Sequence, residues 1–154
     1  MRFLGNIEAR LDAKGRVFLP ATFRKQLQAS GEENLVLRKD VFQQCLVLYP
    51  ESVWNAQMDS LRGRLSCWNR GQQQLFRQFV SDVELLSLDG NGRFLIPRRY
   101  QSLASLTPTV RFIGMGDTIE IWASETAAKP FMEADEFSAA LEEVMSAGVP
   151  QPIG

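Results

Sequence analysis

The spacing of apolar residues changes in a regular order along the first third of the chain. Alternation of apolar and polar residues is typical of a strand with one buried face, and apolar residues four positions apart lie on one face of a helix. Phe23 and Leu27 have the helical spacing. These patterns predict strands at residues 3–11, 16–19, 35–38 and 45–49, and a helix at residues 21–29.

The same order occurs a second time. The run L-D-A-K-G-R-V-F-L-P at residues 11–20 aligns with L-D-G-N-G-R-F-L-I-P at residues 88–97. Both runs share L-D-x-x-G-R, three apolar residues and a proline, and the apolar runs that follow also correspond. The second copy therefore predicts strands at residues 83–88, 93–96, 110–113 and 118–122, and a helix at residues 98–106.

Helical spacing dominates the segments outside the two copies. After Pro50 the apolar residues predict two amphipathic helices that pack on the sheets. A third helix is predicted over residues 134–147, ended by Gly148 and Pro150. The residues on the apolar sides of these helices are Val53, Trp54, Met58, Leu61 and Leu65, then Leu75, Phe76, Phe79 and Val80, then Phe137, Ala140, Leu141, Val144 and Met145.

Charge is distributed unevenly along a chain whose net charge is −1. From Met115 onwards Lys129 is the single basic residue among eight acids, whereas the part before Met115 has 16 basic and 10 acidic residues. The acids are Asp117, Glu120, Glu125, Glu133, Asp135, Glu136, Glu142 and Glu143. A net charge of −1 is not typical of a nucleic-acid binder. The distribution is compatible with nucleic-acid binding, because the acids are concentrated in the C-terminal segment and the rest of the chain is basic.

Several classes of function are weakened by what the sequence lacks. The chain has no histidine, which removes the commonest general base and the commonest metal ligand. Cys45 and Cys67 are isolated, and we expect two packed thiols, neither a zinc site nor a disulfide. No apolar run has the length of a membrane helix, and the N-terminus has no secretory pattern. We expect a cytoplasmic protein without cofactor, metal, catalytic residue, membrane contact or small-molecule substrate.

The repeated turns carry the candidate chemistry. We expect Asp12 and Asp89 to bond to the backbone ahead of them, and Gly15 and Gly92 to adopt the positive φ that a tight turn needs.

The arginines that follow the turns, Arg16 and Arg93, are candidates for reading DNA, because a guanidinium can donate two hydrogen bonds to one guanine edge. An alternative is that each arginine only pairs with the aspartate of its turn. We assign further DNA contacts to Lys14, Asn91, Arg24 and Arg98, close to the two turns in sequence.

The chain resembles the MraZ family of the AbrB/SpoVT-like, swapped-hairpin class of bacterial DNA-binding proteins. The resemblance rests on the doubled D-x-x-G-R with its proline, on C-L-V-L-Y-P at residues 45–50 with Trp54, and on E-I-W at residues 120–122. It covers the chain up to about Phe131.

The resemblance implies an α+β fold in which two tandem β-hairpin modules form an intertwined β-barrel flanked by amphipathic helices. The first repeat with its following helix would be residues 1–66, the connecting helix and second repeat residues 67–131, and the acidic helix and tail residues 132–154. The family's DNA-contacting arginines correspond to Arg16 and Arg93. The implied function is a nucleoid-associated regulator, usually a repressor, of the division and cell-wall gene cluster. It would bind repeated upstream boxes on double-stranded DNA as a ring-like homo-oligomer.

Two other functions stay open on the sequence. The duplicated module could be a structural or protein-interaction scaffold whose arginines bind acidic partners. A hydrolase based on carboxylates is a third reading, weakened because the two motif acids lie in turns of different copies.

Overall fold

The computed structural model describes residues 1–148 and has the predicted α+β class. Pro150 and the rest of the tail, residues 149–154, lie outside the described residues. No helix in the described part of the chain is long and apolar enough to span a membrane.

The strands are β1 (Asn6–Arg10), β2 (Arg16–Phe18), β3 (Asn34–Lys39), β4 (Leu46–Pro50), β5 (Glu84–Ser87), β6 (Arg93–Leu95), β7 (Thr109–Gly114) and β8 (Ile119–Ala123). The helices are α1 (Ala21–Ala29), α2 (Glu51–Gly63), α3 (Arg70–Ser81), α4 (Arg98–Leu103), α5 (Ser124–Ala127) and α6 (Ala134–Ser146).

Two element boundaries differ from the prediction by three residues, each for an identifiable backbone reason. The first strand begins at Asn6 because Gly5 has φ +102°, which leaves Phe3 in an isolated bridge to Gly116. The predicted helix 98–106 ends at Leu103, since Ser105 has φ +52° and leaves the helical conformation. The short helix α5 was not predicted.

The two copies are joined by strand exchange. The larger sheet has six antiparallel strands in the order β1-β7-β8-β4-β3-β5, and the smaller sheet pairs β2 with β6. Thus β1 of the first copy pairs with β7 of the second, and β5 of the second copy pairs with β3 of the first. The copies are related by an approximate two-fold arrangement and share both sheets. No ladder among residues 1–148 joins the sheets into a closed barrel, so closure of the barrel stays a prediction.

The main core lies between one face of the larger sheet and the smaller sheet with α1 and α4. Val17 of β2 and Phe94 of β6 point into it, and the Phe94 ring meets Phe112 of β7 edge-on, with centroids 6.3 Å apart. The larger sheet and the two helices supply most of the remaining buried side chains, which include Leu35, Leu37, Leu46, Leu48, Val110, Ile119, Ile121, Phe23, Leu27 and Tyr100.

The opposite, outer face of the larger sheet is covered by α2 and α3. Val36 and Val47 alternate with the residues of the main core and therefore point outwards, where they contact Trp54 of α2. The Trp54 ring stacks on Phe79 of α3 at 5.0 Å, and the guanidinium of Arg38 lies 4.7 Å from the Phe79 centroid. The helical hairpin α2–α3 is thereby fixed on the face opposite β2 and β6.

A second cluster on the outer face lies over β7 and β8. Trp122 alternates with Ile121 of the main core, contacts the buried Ala127 of α5, and its ring lies 5.2 Å from that of Phe131. The chain then continues into α6, none of whose residues is buried. The predicted amphipathic helix is present, but no other element in the described part of the chain buries its apolar side.

The two cysteines occupy different environments. Cys45 is fully buried beside Trp122, and burial raises the pKa of its thiol to about 12. Cys67 is exposed in the loop between α2 and α3. The expectation of two packed thiols is correct for Cys45 and wrong for Cys67, because the end of a protruding hairpin has few apolar neighbours.

Candidate nucleic-acid interface

The two D-x-x-G-R turns have the same hydrogen bonds in both copies. In the first, Oδ1 of Asp12 accepts from the backbone N–H groups of Lys14 and Arg16, both at 2.9 Å. In the second, Oδ1 of Asp89 accepts from Asn91 and Arg93, also at 2.9 Å. Each aspartate thus satisfies two backbone N–H groups of its own turn.

The turn glycines have the conformation that the motif requires. Gly15 has φ +85° and Gly92 has φ +82°, and each donates its N–H to the backbone carbonyl of the turn aspartate at 3.0 Å. A Cβ on Gly15 would also lie 2.9 Å from the carbonyl oxygen of Ile96. A side chain at this position would therefore strain the backbone and overlap the second copy.

Each arginine is held from one side by its aspartate. The Nε of Arg16 donates to Oδ2 of Asp12 at 2.8 Å, and the Nε of Arg93 donates to Oδ2 of Asp89 at 3.0 Å. The pKa of both carboxyl groups is lowered, mainly by the hydrogen bond from the backbone N–H of the arginine. The hydrogen bonds of the turn therefore favour the ionised form of both aspartates.

The pairing leaves the other edge of each guanidinium available. Within residues 1–148, no protein atom accepts a hydrogen bond from Nη1 or Nη2 of Arg16 or Arg93. The alternative in which each arginine pairs with the aspartate of its turn is therefore correct about the ion pair, but the hydrogen bond of this pair uses the Nε of the arginine alone. A guanidinium fixed in this way retains the planar pair of donors that recognition of a guanine edge uses.

The arginines stand on one face of the small two-stranded sheet. Arg16 pairs with Leu95, and Phe18 pairs with Arg93, while the intervening Val17 and Phe94 point into the core. Phe18 and Leu95 are 54% and 51% exposed, so the outward face presents two cations and two apolar side chains. The Arg93 guanidinium lies 5.8 Å from the Phe18 ring centroid, which supports it from below. We name this outward face the ribbon face: Arg16, Phe18, Arg93 and Leu95.

Each turn is completed by the other copy. The backbone N–H of Leu19 donates to the carbonyl of Gly92 at 3.0 Å, and that of Ile96 donates to the carbonyl of Gly15 at 2.9 Å. As a result, α1 of the first copy lies beside the second turn, and α4 of the second copy lies beside the first. The two turns cannot be positioned independently of each other.

Arg24 and Gln101 occupy equivalent places in this arrangement. Nη1 of Arg24 donates to the carbonyl of Leu19 at 3.3 Å, and Nε2 of Gln101 donates to the carbonyl of Ile96 at 2.8 Å. Arg24 is half-buried against Gly92, so part of its guanidinium serves the turn. The remaining donors of Arg24 face the groove beside the second turn.

The surroundings of the two turns differ in charge. The groove beside the first turn brings together Lys14 and Arg98, which are both exposed, with Asp12 as its acid. The groove beside the second turn contains Arg24 and the exposed Asn91 and is lined by three acids, Asp89, Glu32 and Glu33. Phosphate groups are therefore attracted more strongly to the first turn than to the second.

Sequence reasoning missed Phe18 and Leu95, whereas the exchange between copies was implied by the family resemblance and is present in the pairing of β1 with β7 and of β5 with β3. The two apolar residues had a signal, since the second residue after each arginine lies on the same side of a strand. The acids Glu32 and Glu33 had none, because they lie far in sequence from the turn that they flank. Within the described chain there is no cluster of three side chains able to hold a metal ion.

Comparisons with known proteins agree on one family. The family described as "MraZ protein, putative antitoxin-like" matches residues 2–77 and 79–145. A protein of Phocaeicola vulgatus named transcriptional regulator MraZ is 65% identical over 145 residues, covering 94% of this chain and 94% of its own. Proteins of the same name from Bacteroides thetaiotaomicron and Pseudomonas syringae are 62% and 33% identical, covering 95% and 86% of this chain and 94% and 87% of their own.

Proposed function

Because the chain belongs to the MraZ family, we propose that it is a transcriptional regulator that binds double-stranded DNA sequence-specifically, without cofactor and without enzymatic activity. The names of its relatives support the regulatory part of this proposal. The observation that carries the DNA-binding part is the pair of identical turns, each of which holds an arginine by Nε and leaves Nη1 and Nη2 unoccupied in the described chain.

The ribbon face suits the major groove, which admits a two-stranded β-ribbon. Arg16 and Arg93 are diagonal neighbours on the paired strands β2 and β6. The backbones of diagonal neighbours on one face of an antiparallel pair are about 7–8 Å apart. Base pairs are spaced at about 3.4 Å along each strand, so both arginines reach bases of the same short box. Each bidentate contact with guanine would contribute about 1–3 kcal/mol of discrimination.

The apolar members of the ribbon face have a role in the same proposal. Leu95 lies directly across from Arg16 and Phe18 directly across from Arg93, and both apolar side chains are half exposed. The methyl group of thymine is the apolar feature of the major-groove edge. We assign these two side chains to contacts with thymine, so that the box combines guanine with thymine on adjacent steps.

Phosphate contacts come from the grooves beside the turns. We assign phosphate contacts to Lys14 and Arg98, which line the groove beside the first turn, and to Arg24 and Asn91, which line the groove beside the second. Such contacts provide affinity and salt dependence and carry no sequence information. The acids Glu32 and Glu33 make the second turn the weaker of the two.

The finer features that the resemblance implies belong to the same proposal. The regulator would repress the division and cell-wall gene cluster from repeated upstream boxes and would act in the cytoplasm, in association with the nucleoid. Its modules, residues 1–66 and 67–131 with the acidic segment 132–154, would close into an intertwined barrel. A ring of such chains would gain affinity for repeated boxes because linked sites act at high effective concentration.

The test is a titration of labelled DNA from the region upstream of the protein's own gene, followed by fluorescence anisotropy. Wild type is compared with Arg16→Ala/Arg93→Ala, with scrambled DNA of equal composition, and with Lys25→Ala as a control for loss of an exposed charge. We expect preference for the upstream DNA in wild type and in Lys25→Ala, and its loss in the double variant, whose circular dichroism should be unchanged. Equal binding of upstream and scrambled DNA by wild type would refute the proposal and favour the protein-interaction reading.

A further inference from the structure

Two helical surfaces of the chain have opposite charge. Residues 133–146, the acidic helix, contain five acids and no basic residue, whereas residues 60–81, the basic hairpin, contain four arginines and no acid. The acids are Glu133, Asp135, Glu136, Glu142 and Glu143, and the arginines are Arg62, Arg64, Arg70 and Arg77. All nine side chains are exposed. Charges so segregated attract each other across an interface between separate molecules.

Both surfaces also expose large apolar side chains. On the acidic helix, Phe137, Leu141, Val144 and Met145 have helical spacing and are between 48% and 70% exposed. On the basic hairpin, Trp68 is 93% exposed. An apolar stripe of this size, left unpacked in the single chain, marks a surface that another protein surface covers.

The charged residues beside these apolar groups have the same spacing on both helices. Glu136 and Glu143 are seven residues apart, as are Arg70 and Arg77, so each pair lies on one side of its helix and spans about 10.5 Å. Arg70 and Arg77 line a groove together with Trp68. Glu136 and Glu143 border the apolar stripe, because helical rotation places them next to it.

We propose that the acidic helix of one copy docks on the basic hairpin of a second copy, with Glu136 and Glu143 opposite Arg70 and Arg77, and the apolar stripe against Trp68. The inference rests on the homo-oligomer of the proposed function and assigns its contact. The two surfaces are different parts of the chain, so the contact is heterologous and generates a ring when the rotation closes. None of the residues in this contact belongs to the ribbon face or lines the grooves beside the two turns, so both stay available for DNA.

DNA is the other anion that the basic hairpin could bind. The second copy is favoured because an acidic surface of matching spacing exists on the same chain, and because Trp68 offers apolar area that the acidic helix can cover. In addition, the hairpin packs on the face of the larger sheet opposite to β2 and β6, so it lies away from the ribbon face to which we assign DNA.

The test uses full-length protein and sedimentation velocity at one protein concentration. The variants are Glu136→Lys/Glu143→Lys, Arg70→Glu/Arg77→Glu and the combination of all four changes, with Glu84→Lys/Asp117→Lys as a matched control at exposed acids elsewhere. We expect wild type and the control to sediment as assemblies. Either reversed pair should reduce the mass to that of the 17.4 kDa chain, and the combination should restore the assemblies. Circular dichroism should be the same for all, because every changed residue is exposed.

A wild-type mass in either reversed pair, a single-chain mass in wild type, or failure of the combination to restore assembly would each overturn this inference. Anisotropy with upstream DNA, measured on the same samples, separates it from the proposed function. Absence of specific binding by assembled wild type refutes that function alone. Loss of DNA binding by Arg70→Glu/Arg77→Glu with unchanged mass would assign the hairpin to DNA and overturn the inference.

Discussion

Alternation on the small sheet makes two phenylalanines in one ribbon suitable for separating stability from DNA binding. Phe94 points into the core and is 3% exposed, whereas Phe18 on the adjacent strand points outwards and is 54% exposed. We predict that Phe94→Ala lowers the free energy of unfolding several times more than Phe18→Ala does, and that Phe18→Ala, which stays folded, has a lower affinity for DNA. The same change from phenylalanine to alanine would then have different effects, because Phe94 lies on the core face of the small sheet and Phe18 lies on its outward face.

The magnitudes follow from burial. Truncation of a fully buried phenylalanine costs about 3–5 kcal/mol, since it removes apolar contacts and leaves a cavity, here against Phe112. Full burial of a phenylalanine side chain contributes roughly 1.5–3 kcal/mol to the free energy of unfolding. Because Phe18 is half exposed and its truncation leaves no closed cavity, Phe18→Ala should cost about half of that, or about 1 kcal/mol. Loss of the Phe18 ring beneath Arg93 removes a contact worth about 0.5–1 kcal/mol, a roughly 2- to 5-fold loss of affinity.

Urea unfolding followed by circular dichroism at one protein concentration measures the first effect. With a slope of roughly 2 kcal/mol per molar urea, the midpoint should fall by about 2 M for Phe94→Ala and about 0.5 M for Phe18→Ala. Anisotropy under native conditions measures the second. Equal shifts of the two midpoints, or unchanged DNA affinity in Phe18→Ala, would refute the assignment of the two faces.

Three further predictions concern single groups. Arg24→Gln should keep the fold and reduce the slope of log affinity against log salt by about 0.9, as expected when one phosphate contact is lost; an unchanged slope would remove Arg24 from the DNA contacts. Because the pKa values of Asp12 and Asp89 are lowered from 3.8, the stability that these carboxylates provide is present above that pH and lost below it. Changing both to Asn should therefore flatten the fall of the thermal midpoint below about pH 4; an identical fall in wild type and variant would contradict this. A thiol reagent at mildly alkaline pH should label Cys67 in the folded chain and reach Cys45, whose pKa is about 12, after unfolding only; rapid labelling of both would contradict the burial of Cys45.

The local parts of the fold could be predicted from the sequence because their interactions lie within a few residues. The aspartate of each turn bonds to groups two and four positions ahead, so Asp12 and Gly15 identify the turn by themselves. The helix after Pro20 and the alternation of Val17 with its neighbours depend on similarly short spacings. The strands of the prediction accordingly overlap those of the structure.

The exchange of strands between copies could not be predicted from local patterns and was implied by the family resemblance alone. The two copies have the same alternation, so pairing within a copy and pairing between copies satisfy the local pattern equally well. Ala9 pairs with Val110 through contacts that no short window contains. For the same reason the position of Arg24 beside Gly92, in the turn of the other copy, was not accessible from the sequence.

The central claim is that the free edges of the two arginines read guanine, and replacement of guanine by 7-deazaguanine in the bound box tests it most directly. This base lacks the N7 acceptor that a bidentate arginine uses. A bidentate contact worth about 1–3 kcal/mol is shared between the O6 and N7 acceptors of guanine, so removal of N7 loses about half of it at each arginine. We therefore predict that the replacement weakens binding by wild type roughly 10-fold. In Arg16→Ala/Arg93→Ala it should have no further effect. An equal loss of affinity in wild type and in the double variant, or no loss in wild type, would contradict the account.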